Sequence, residues 1–387
     1  MLGPALHAGP RGGAGGDHRE VTATLTGRAT AEATAAHAAA RPAAAGHWRR
    51  AGDLTVSSVG LGTYLGPEDE ATDAGYAAAL ARALELECNV VDTAANYRYQ
   101  RSERVVGRTL AELVASGRVE RAAVVVATKA GFLPGDSAHP GGMRGWVEDE
   151  LLGPGVIDAA DIVAGCHCMT PAYLRHQLAE SLRNLGVDCI DIHYLHNPET
   201  QLSEVDRPEF RRRVHDAFAT LEAAVAAGEV GVYGVATWDG LRADPSSGGH
   251  LSLEELAACA VEVAGDAHHF RAVQLPLNVA MPEAAVRPTQ RGAGGAMPLL
   301  AAAAERGMTV MASGSLLQAR VIGRLPAALR ELLGGPTDAQ SALQFTRSAP
   351  GLTTALVGMS RVDHVEENLA LAARPPLDPD GFAALFR

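Results

Sequence analysis

Lysine is almost missing from this chain of 387 residues: among its 33 Lys+Arg, Lys129 is the single lysine and the rest are arginines. Alanine and glycine are also heavily used, so the composition replaces Lys by Arg wherever a generic cation will do. A position that has kept an ammonium needs a compact charge whose pKa responds to burial, which a guanidinium does not provide. Net basic charge is absent too. A formal charge of −12 argues against a nucleic-acid partner held through its phosphates. No apolar run approaches the roughly 20 residues of a membrane span, and no basic segment followed by an apolar one opens the chain as a secretory signal would. The five cysteines, Cys88, Cys166, Cys168, Cys189 and Cys259, have no framework spacing. They read as free thiols in a reducing compartment, with a cytoplasmic location expected. Within GCHCM, Cys166, His167 and Cys168 lack the second Cys/His pair that a tetrahedral zinc site requires, so local packing and no metal is the expectation.

Residues 1–47 are rich in Ala, Gly and His without sustained periodicity, and are expected to be a disordered extension. From residue 48 to 387 the chain alternates. Eight apolar, β-branched runs (55–63, 89–94, 122–130, 189–196, 230–237, 271–278, 308–315 and 352–358) are each followed by a helical pattern. Several of these helices carry start signals: Ser102 as an N-cap, Thr170 with Pro171, and a Ser252–Glu255 capping box. Strands too apolar for one-sided burial argue for a parallel sheet covered by helices. Eight such units suit a closed (β/α)8 TIM barrel. The rival doubly wound sheet predicts GxGxxG after the first strand, which GLGTYLG at 60–66 matches poorly.

In such a barrel the strand C-termini converge on one face, where active sites sit. NVVDTAANY ends a strand in Asp92, with Tyr97 five residues on. VVVATKA ends in Lys129, and IDIHYLH ends in His196. The later strands deliver Thr237 and Trp238, then Gln274 and Asn278, then Ser313 and Ser315, and last Gly358. Ionisable groups at three successive strand ends form a catalytic candidate rather than scattered surface charge.

DTAxxY, ATK and YLH, in this order and at these positions, resemble the aldo-keto reductase family. GLGT, GVYGVATW, VQLPLN, MASGSLL and VGMSRVDHVEEN extend the resemblance over residues 48–375. It implies a (β/α)8 barrel with an N-terminal hairpin supplied by WRRAGDLTVSSVG and a long insertion, residues 133–168, after the third barrel strand. That insertion is expected to cap a substrate pocket, with Trp146 as a candidate wall. It also implies NAD(P)H-dependent reduction of an aldehyde or ketone to an alcohol, or the reverse. Tyr97 would be the proton donor, Lys129 would lower its pKa while Asp92 holds the ammonium charged and aimed, and His196 would orient the carbonyl. The cofactor, NADP with NADPH preferred and NAD possible, would lie along Gly62, Thr63, Tyr64, Asp92, Thr237 and Gln274. Its phosphates and adenine would lie on Ser313, Gly314, Ser315, Leu316, Gly358, Met359, Ser360, Arg361, His364, Glu367 and Asn368. Three positions depart from the family pattern: Ala236-Thr237 replaces a Ser-Asn pair, Ala312 an aromatic residue, and Gly358 a basic one. The expected partner is a small carbonyl or alcohol, with no nucleic acid and no membrane. The resemblance leaves a second reading open, a cofactor-binding regulatory module of the kind that potassium-channel β-subunits make of this fold.

Overall fold

A computed structural model describes residues 24–387. Its centre is a closed barrel of eight parallel strands: β1 Val59–Gly62, β2 Val90–Asp92, β3 Val125–Ala130, β4 Ile190–His196, β5 Val230–Ala236, β6 Phe270–Pro276, β7 Thr309–Ser313 and β8 Thr354–Gly358. Each strand pairs with its sequence neighbour, and β8 closes on β1 with Gly358 opposite Gly62. The main crossover helices are α1 Glu70–Glu85, α2 Arg101–Ala115, α3 Pro171–Leu185, α4 Arg207–Ala226, α5 Leu253–Ala264, α6 Leu299–Glu305, α7 Asp338–Ser348 and α8 Val362–Leu369. Side-chain oxygens fix most of their starts. Asp69, Thr170, Asp206, Ser252 and Thr337 each accept the backbone N–H three residues on, which meets donors that the first turn cannot satisfy itself.

Successive strand residues face opposite sides of a sheet, and here both sides are dry. One set packs under the helices. The other, including Val90, Ala127, Ile192, Tyr194, Ala272, Met311 and Leu356, forms a separate apolar cluster filling the barrel. Two residues further along the same strands, the inward set becomes Asp92, Lys129, His196, Gln274, Ser313 and Gly358. The alternation that builds the core therefore also aims the candidate site residues to one layer at the C-terminal mouth.

Three features differ from the sequence expectation. The run 55–63 is two strands: Leu54–Ser57 pairs antiparallel with Trp48–Ala51 as the expected hairpin, and β1 starts afresh at Val59. Ser102 is not an N-cap; α2 opens from Gln100 in a left-handed conformation, and the Ser102 hydroxyl donates to the Thr63 carbonyl at 2.8 Å. The extension expected over residues 1–47 is folded in part. Its first 23 residues lie outside the described residues, but Ala31–Ala39 is a helix capped by Thr30. The Ala29 N–H donates to Asp191 at 2.6 Å, and the Thr55 N–H donates to Thr34 at 3.1 Å, so this segment docks at the N-terminal end of the barrel. That helix buries Thr34 and His37 rather than an apolar stripe, which is why no periodicity marked it.

The insertion leaves β3 through Phe132 and returns through a bridge between Phe132 and His167. It contains a short helix Gly142–Val147 that runs into a wider turn, Glu148–Leu152. Gln100 donates to the Gly135 carbonyl at 2.7 Å and Arg104 pairs with Asp136 at 2.6 Å, which fastens its outgoing limb to α2. Trp146 is 5% exposed and belongs, with Leu151 and Ile157, to the main apolar cluster of the barrel and its helices, so its ring is part of the core rather than an open wall. The exposed aromatic rings beyond the strand ends are Tyr64 and Trp238.

Candidate active site

Lys129 is buried, and its ammonium donates to Asp92 Oδ2 and to the Thr93 carbonyl, both at 2.7 Å. The other Asp92 oxygen accepts from Gln274 Nε2 at 2.7 Å. Both oxygens of this carboxylate are thus engaged, and the Gln274 amide nitrogen, expected to serve a cofactor, is committed to Asp92. Thr63 Oγ1 donates to the Asp92 backbone carbonyl at 3.2 Å, tying the end of β1 to the end of β2.

Tyr97 is carried on a turn of unusual geometry. Arg98, Tyr99 and Gln100 all have positive φ, at 51°, 53° and 70°. Three successive left-handed non-glycine residues are costly and persist where their surroundings dictate them. Here the Arg98 guanidinium, buried, donates to the Pro67 and Asp69 carbonyls and to Asp73 at 2.9, 3.2 and 2.6 Å, while Asn184 Nδ2 donates to Gln100 Oε1 at 3.0 Å. The Tyr97 ring meets His196 edge-on with centroids 5.9 Å apart and Tyr64 at 5.0 Å. Phe132 also stands edge-on to His196, at 5.0 Å. The structure therefore brings Asp92, Tyr97, Lys129 and His196 into one cluster.

The electrostatics of that cluster differ in one respect from the expectation. Burial, and after it the charge of Asp92, holds the Tyr97 phenol well above the usual tyrosine value. Burial draws the Lys129 ammonium down, with Asp92 opposing the shift. The ammonium lies over the Tyr97 ring, 4.8 Å from its centroid, with its hydrogen bonds directed elsewhere. Burial and Asp92 thus shift the Tyr97 phenol in the direction opposite to the lowering expected from Lys129. Burial, then Lys129, then His167 keep the His196 imidazole well below its ordinary value, and hence neutral. Five polar atoms around the mouth are buried without a hydrogen-bond partner: Thr93 Oγ1, Asn96 Oδ1, His196 Nδ1, Glu199 Oε2 and Thr237 Oγ1. Buried polar atoms are rarely left unpaired, and a cluster of them fits a ligand with polar groups.

The β7–β8 end is a second group. Gly314 has φ 61°, and its carbonyl accepts from Asn278 at 2.9 Å. Ser313 and Leu316 are partly exposed, while Ser315 is buried and its hydroxyl donates to the Ala312 carbonyl at 3.4 Å. Gly358 is exposed and Met359 buried. The Ser360 carbonyl packs so closely on α1 that a Cβ at Gly75 would stand 2.6 Å from it. Arg361 and His364 are exposed, and the Arg361 guanidinium already grips Asp363, with Nε at 2.9 Å. Glu367 accepts from Thr337 at 2.6 Å, and the buried Asn368 leaves Oδ1 without a partner.

Residues 58–243 match the family model described as the aldo/keto reductase family. Over these residues the chain carries an aldo/keto reductase domain. Its similarity to NADH-specific methylglyoxal reductase of Escherichia coli is 27% identity over 192 residues, which are 48% of this chain and 50% of that protein. The chain thus spans about half the length of the curated relative it matches. Among solved structures, an aldo/keto reductase from Klebsiella pneumoniae in complex with NADP and acetate is 23% identical, with a TM-score of 0.55 over 88% of this chain and 94% of that one. A glycerol dehydrogenase from Gluconobacter oxydans is 19% identical, with a TM-score of 0.58 over 89% and 95%. At these identities the neighbours establish the shared fold.

Ala312 is fully buried in β7 and offers no ring. Two residues at the mouth escaped the sequence reading. Glu199, in the loop after β4, accepts the N–H groups of Trp238, Asp239 and Gly240 on one oxygen at 2.8, 3.2 and 3.2 Å, fixing the turn that carries Trp238. Phe132, which grips His196, follows ATKAG, but nothing in its spacing announces the contact.

Proposed function

We propose that this chain transfers a hydride between a nicotinamide cofactor and a carbonyl carbon, reducing an aldehyde or ketone or oxidising the corresponding alcohol. The single observation that carries the reading is the convergence of a protonated Tyr97 and a neutral His196 at the mouth, above a Lys129–Asp92 pair. A bound nicotinamide supplies the hydride. Tyr97 gives its proton to the developing alkoxide, and the raised phenol pKa keeps that proton in place until a carbonyl arrives. His196 donates a hydrogen bond to the same oxygen and aims it. The Lys129 ammonium, held by Asp92, lies over the phenol ring, where its positive charge favours the phenolate left once the proton has gone, against the opposing charge of Asp92.

The unpartnered side-chain oxygens of Thr237 and Asn96 suit the amide end of the cofactor, and Gly62, which ends β1, leads into Thr63 and Tyr64 at the same barrel mouth. The loop of Ser313, Gly314, Ser315 and Leu316 offers hydroxyls and N–H groups for the phosphates, and Ser360, Arg361, His364, Glu367 and Asn368 face the adenine end. NADPH is the preferred form, since Arg361 is a guanidinium at the start of α8. The test is oxidation of NADPH and NADH by purified protein against a panel of aldehydes, ketones and sugars, with Tyr97→Phe in parallel. Cofactor binding without turnover on any carbonyl or alcohol would overturn the enzymatic reading.

A further inference from the structure

The GCHCM motif lies at the end of the insertion, and its histidine has a definite place. His167 is buried, and among the described residues no cluster of His, Cys, Asp or Glu could make it a metal ligand. Its Nε2 stands 2.7 Å from the backbone carbonyl of His196. A carbonyl can only accept, so Nε2 carries the proton. Its Nδ1 faces Gln201 Nε2 at 2.8 Å. The orientation of that amide is fixed in turn, because Gln201 Oε1 accepts from Arg213 at 2.5 Å, and Arg213 is held by Glu209 at 2.8 Å. An amide nitrogen donates, so Nδ1 accepts. The chain from Arg213 through Gln201 thus dictates one tautomer of His167, and that tautomer dictates a donor on the His196 carbonyl.

The peptide unit so gripped is anchored at both ends. Its oxygen accepts from His167, and its nitrogen, that of Asn197, donates to the Ala236 carbonyl at 2.6 Å. Asn197 itself is left-handed, at φ 47°. Gly131 at the end of β3 passes so close that a Cβ there would lie 2.7 Å from both His167 Nε2 and the His196 oxygen. Phe132 packs edge-on against both imidazoles, with centroids 5.2 Å from His167 and 5.0 Å from His196. Burial lowers the His167 pKa to about 4, so the neutral tautomer persists over the working range.

We propose that His167 is a positioning residue for His196, through which the insertion sets the attitude of the imidazole that meets the substrate carbonyl. The proposal rests on the role given to His196 under the proposed function. The titratable groups facing His167 are the His196 ring and, beyond Gln201, Arg213 and Glu209.

Three measurements test it. First, 15N NMR of the imidazoles should find His167 in the Nε2–H form across neutral pH; an Nδ1–H tautomer overturns the proposal. Second, His167→Phe keeps a flat ring but removes the donor. It should lower kcat by about tenfold or more, the scale of a small misplacement at a reacting centre, leave the Kd for NADPH unchanged, and shift the His196 ring resonances. A kcat within twofold of wild type, or a loss that follows cofactor affinity, overturns it. Third, Gln201→Glu presents a carboxylate to Nδ1. The Nε2 donor then survives only while His167 is an imidazolium, so kcat should gain a new fall toward high pH that wild type lacks; a profile like wild type overturns it. His196→Ala separates the two readings. If that variant keeps full turnover, the role of His196 fails; unmoved His196 resonances in His167→Phe reject the positioning claim on their own.

Discussion

The Lys129 ammonium lies over the face of the Tyr97 ring, 4.8 Å from its centroid. A cation placed there is attracted by the ring, but it does not bind the phenol oxygen. With burial and Asp92 raising the phenol pKa, Tyr97 stays protonated through neutral pH and above. The sign follows directly. In the proposed mechanism carbonyl reduction uses the phenol as a donor, so its rate should be flat across neutral pH. Alcohol oxidation in the same mechanism uses the phenolate as a base, so its rate should climb with pH. Profiles of kcat/KM in both directions from pH 6 to 10 check this, and a reduction rate that declines from pH 6 to 8 would contradict it. Tyr97→Phe should cost reduction about 10²–10⁴-fold, the range for general acid catalysis, with cofactor Kd unchanged.

Lys129 is the second target. Its ammonium fills the space between Asp92, Thr93 and Tyr97, with both hydrogen bonds at 2.7 Å. A guanidinium is larger, planar and unable to fit as a point charge. Lys129→Arg should therefore be nearly as inactive as Lys129→Met. Lys129→Met leaves a buried carboxylate unpaired and should lower stability by about 3–5 kcal/mol, measured by urea unfolding. Adding Asp92→Asn to Lys129→Met should recover much of that stability but none of the activity. An active Lys129→Arg enzyme would show that a cation alone suffices.

Strand ends were legible in the sequence for a physical reason. In a barrel with both faces dry, the apolar runs continue until the site layer, so Asp92, Lys129 and His196 stand out as the first polar inward residues. The eight-fold alternation was legible for the same reason. Contacts made across long sequence separation were not. His167 and His196 are 29 residues apart and meet only because the insertion folds back over β3. Residues 31–39 hid their helix by burying Thr34 and His37, and Trp146 reads as a pocket wall until it is seen buried in the main apolar cluster. The 55–63 run concealed a break between two strands because hairpin and barrel strands abut with one residue, Ser58, between them.

Four buried histidines, His37, His47, His167 and His193, each have their pKa lowered to about 4, in every case mainly by burial. In the unfolded chain each titrates near 6.5, so below that value the unfolded state binds protons that the folded state refuses. Their contribution to stability is complete above about pH 6.5 and is lost as pH falls toward 4, on the order of 3 kcal/mol for each. Thermal unfolding should show Tm dropping steadily from pH 7 to 5. His193, whose two ring nitrogens have no partner, is the cleanest probe: His193→Leu should make the decline shallower. A Tm constant over this interval would mean that the imidazoles find compensation on protonation.

The last prediction concerns the choice between NADPH and NADH. A 2′-phosphate carries close to two charges and needs a cation at its site. Gly358 and Met359 offer none, which leaves Arg361 at the start of α8. That guanidinium is not idle: its Nε and Nη2 both bond the Asp363 carboxylate, and the pair is exposed on the surface. Asp363 therefore competes with the phosphate for the same fork. It also adds a negative charge beside the incoming one. Arg361→Ala should weaken NADPH binding and leave NADH nearly untouched. Asp363→Asn should do the reverse, tightening NADPH by a few-fold because the fork is released. The effect should shrink as salt rises, since exposed charges are screened. Direct titration of both cofactors at low and high ionic strength decides it. If Asp363→Asn leaves NADPH affinity unchanged while Arg361→Ala weakens both cofactors alike, Arg361 binds the shared pyrophosphate instead, and the preference for NADPH loses its source.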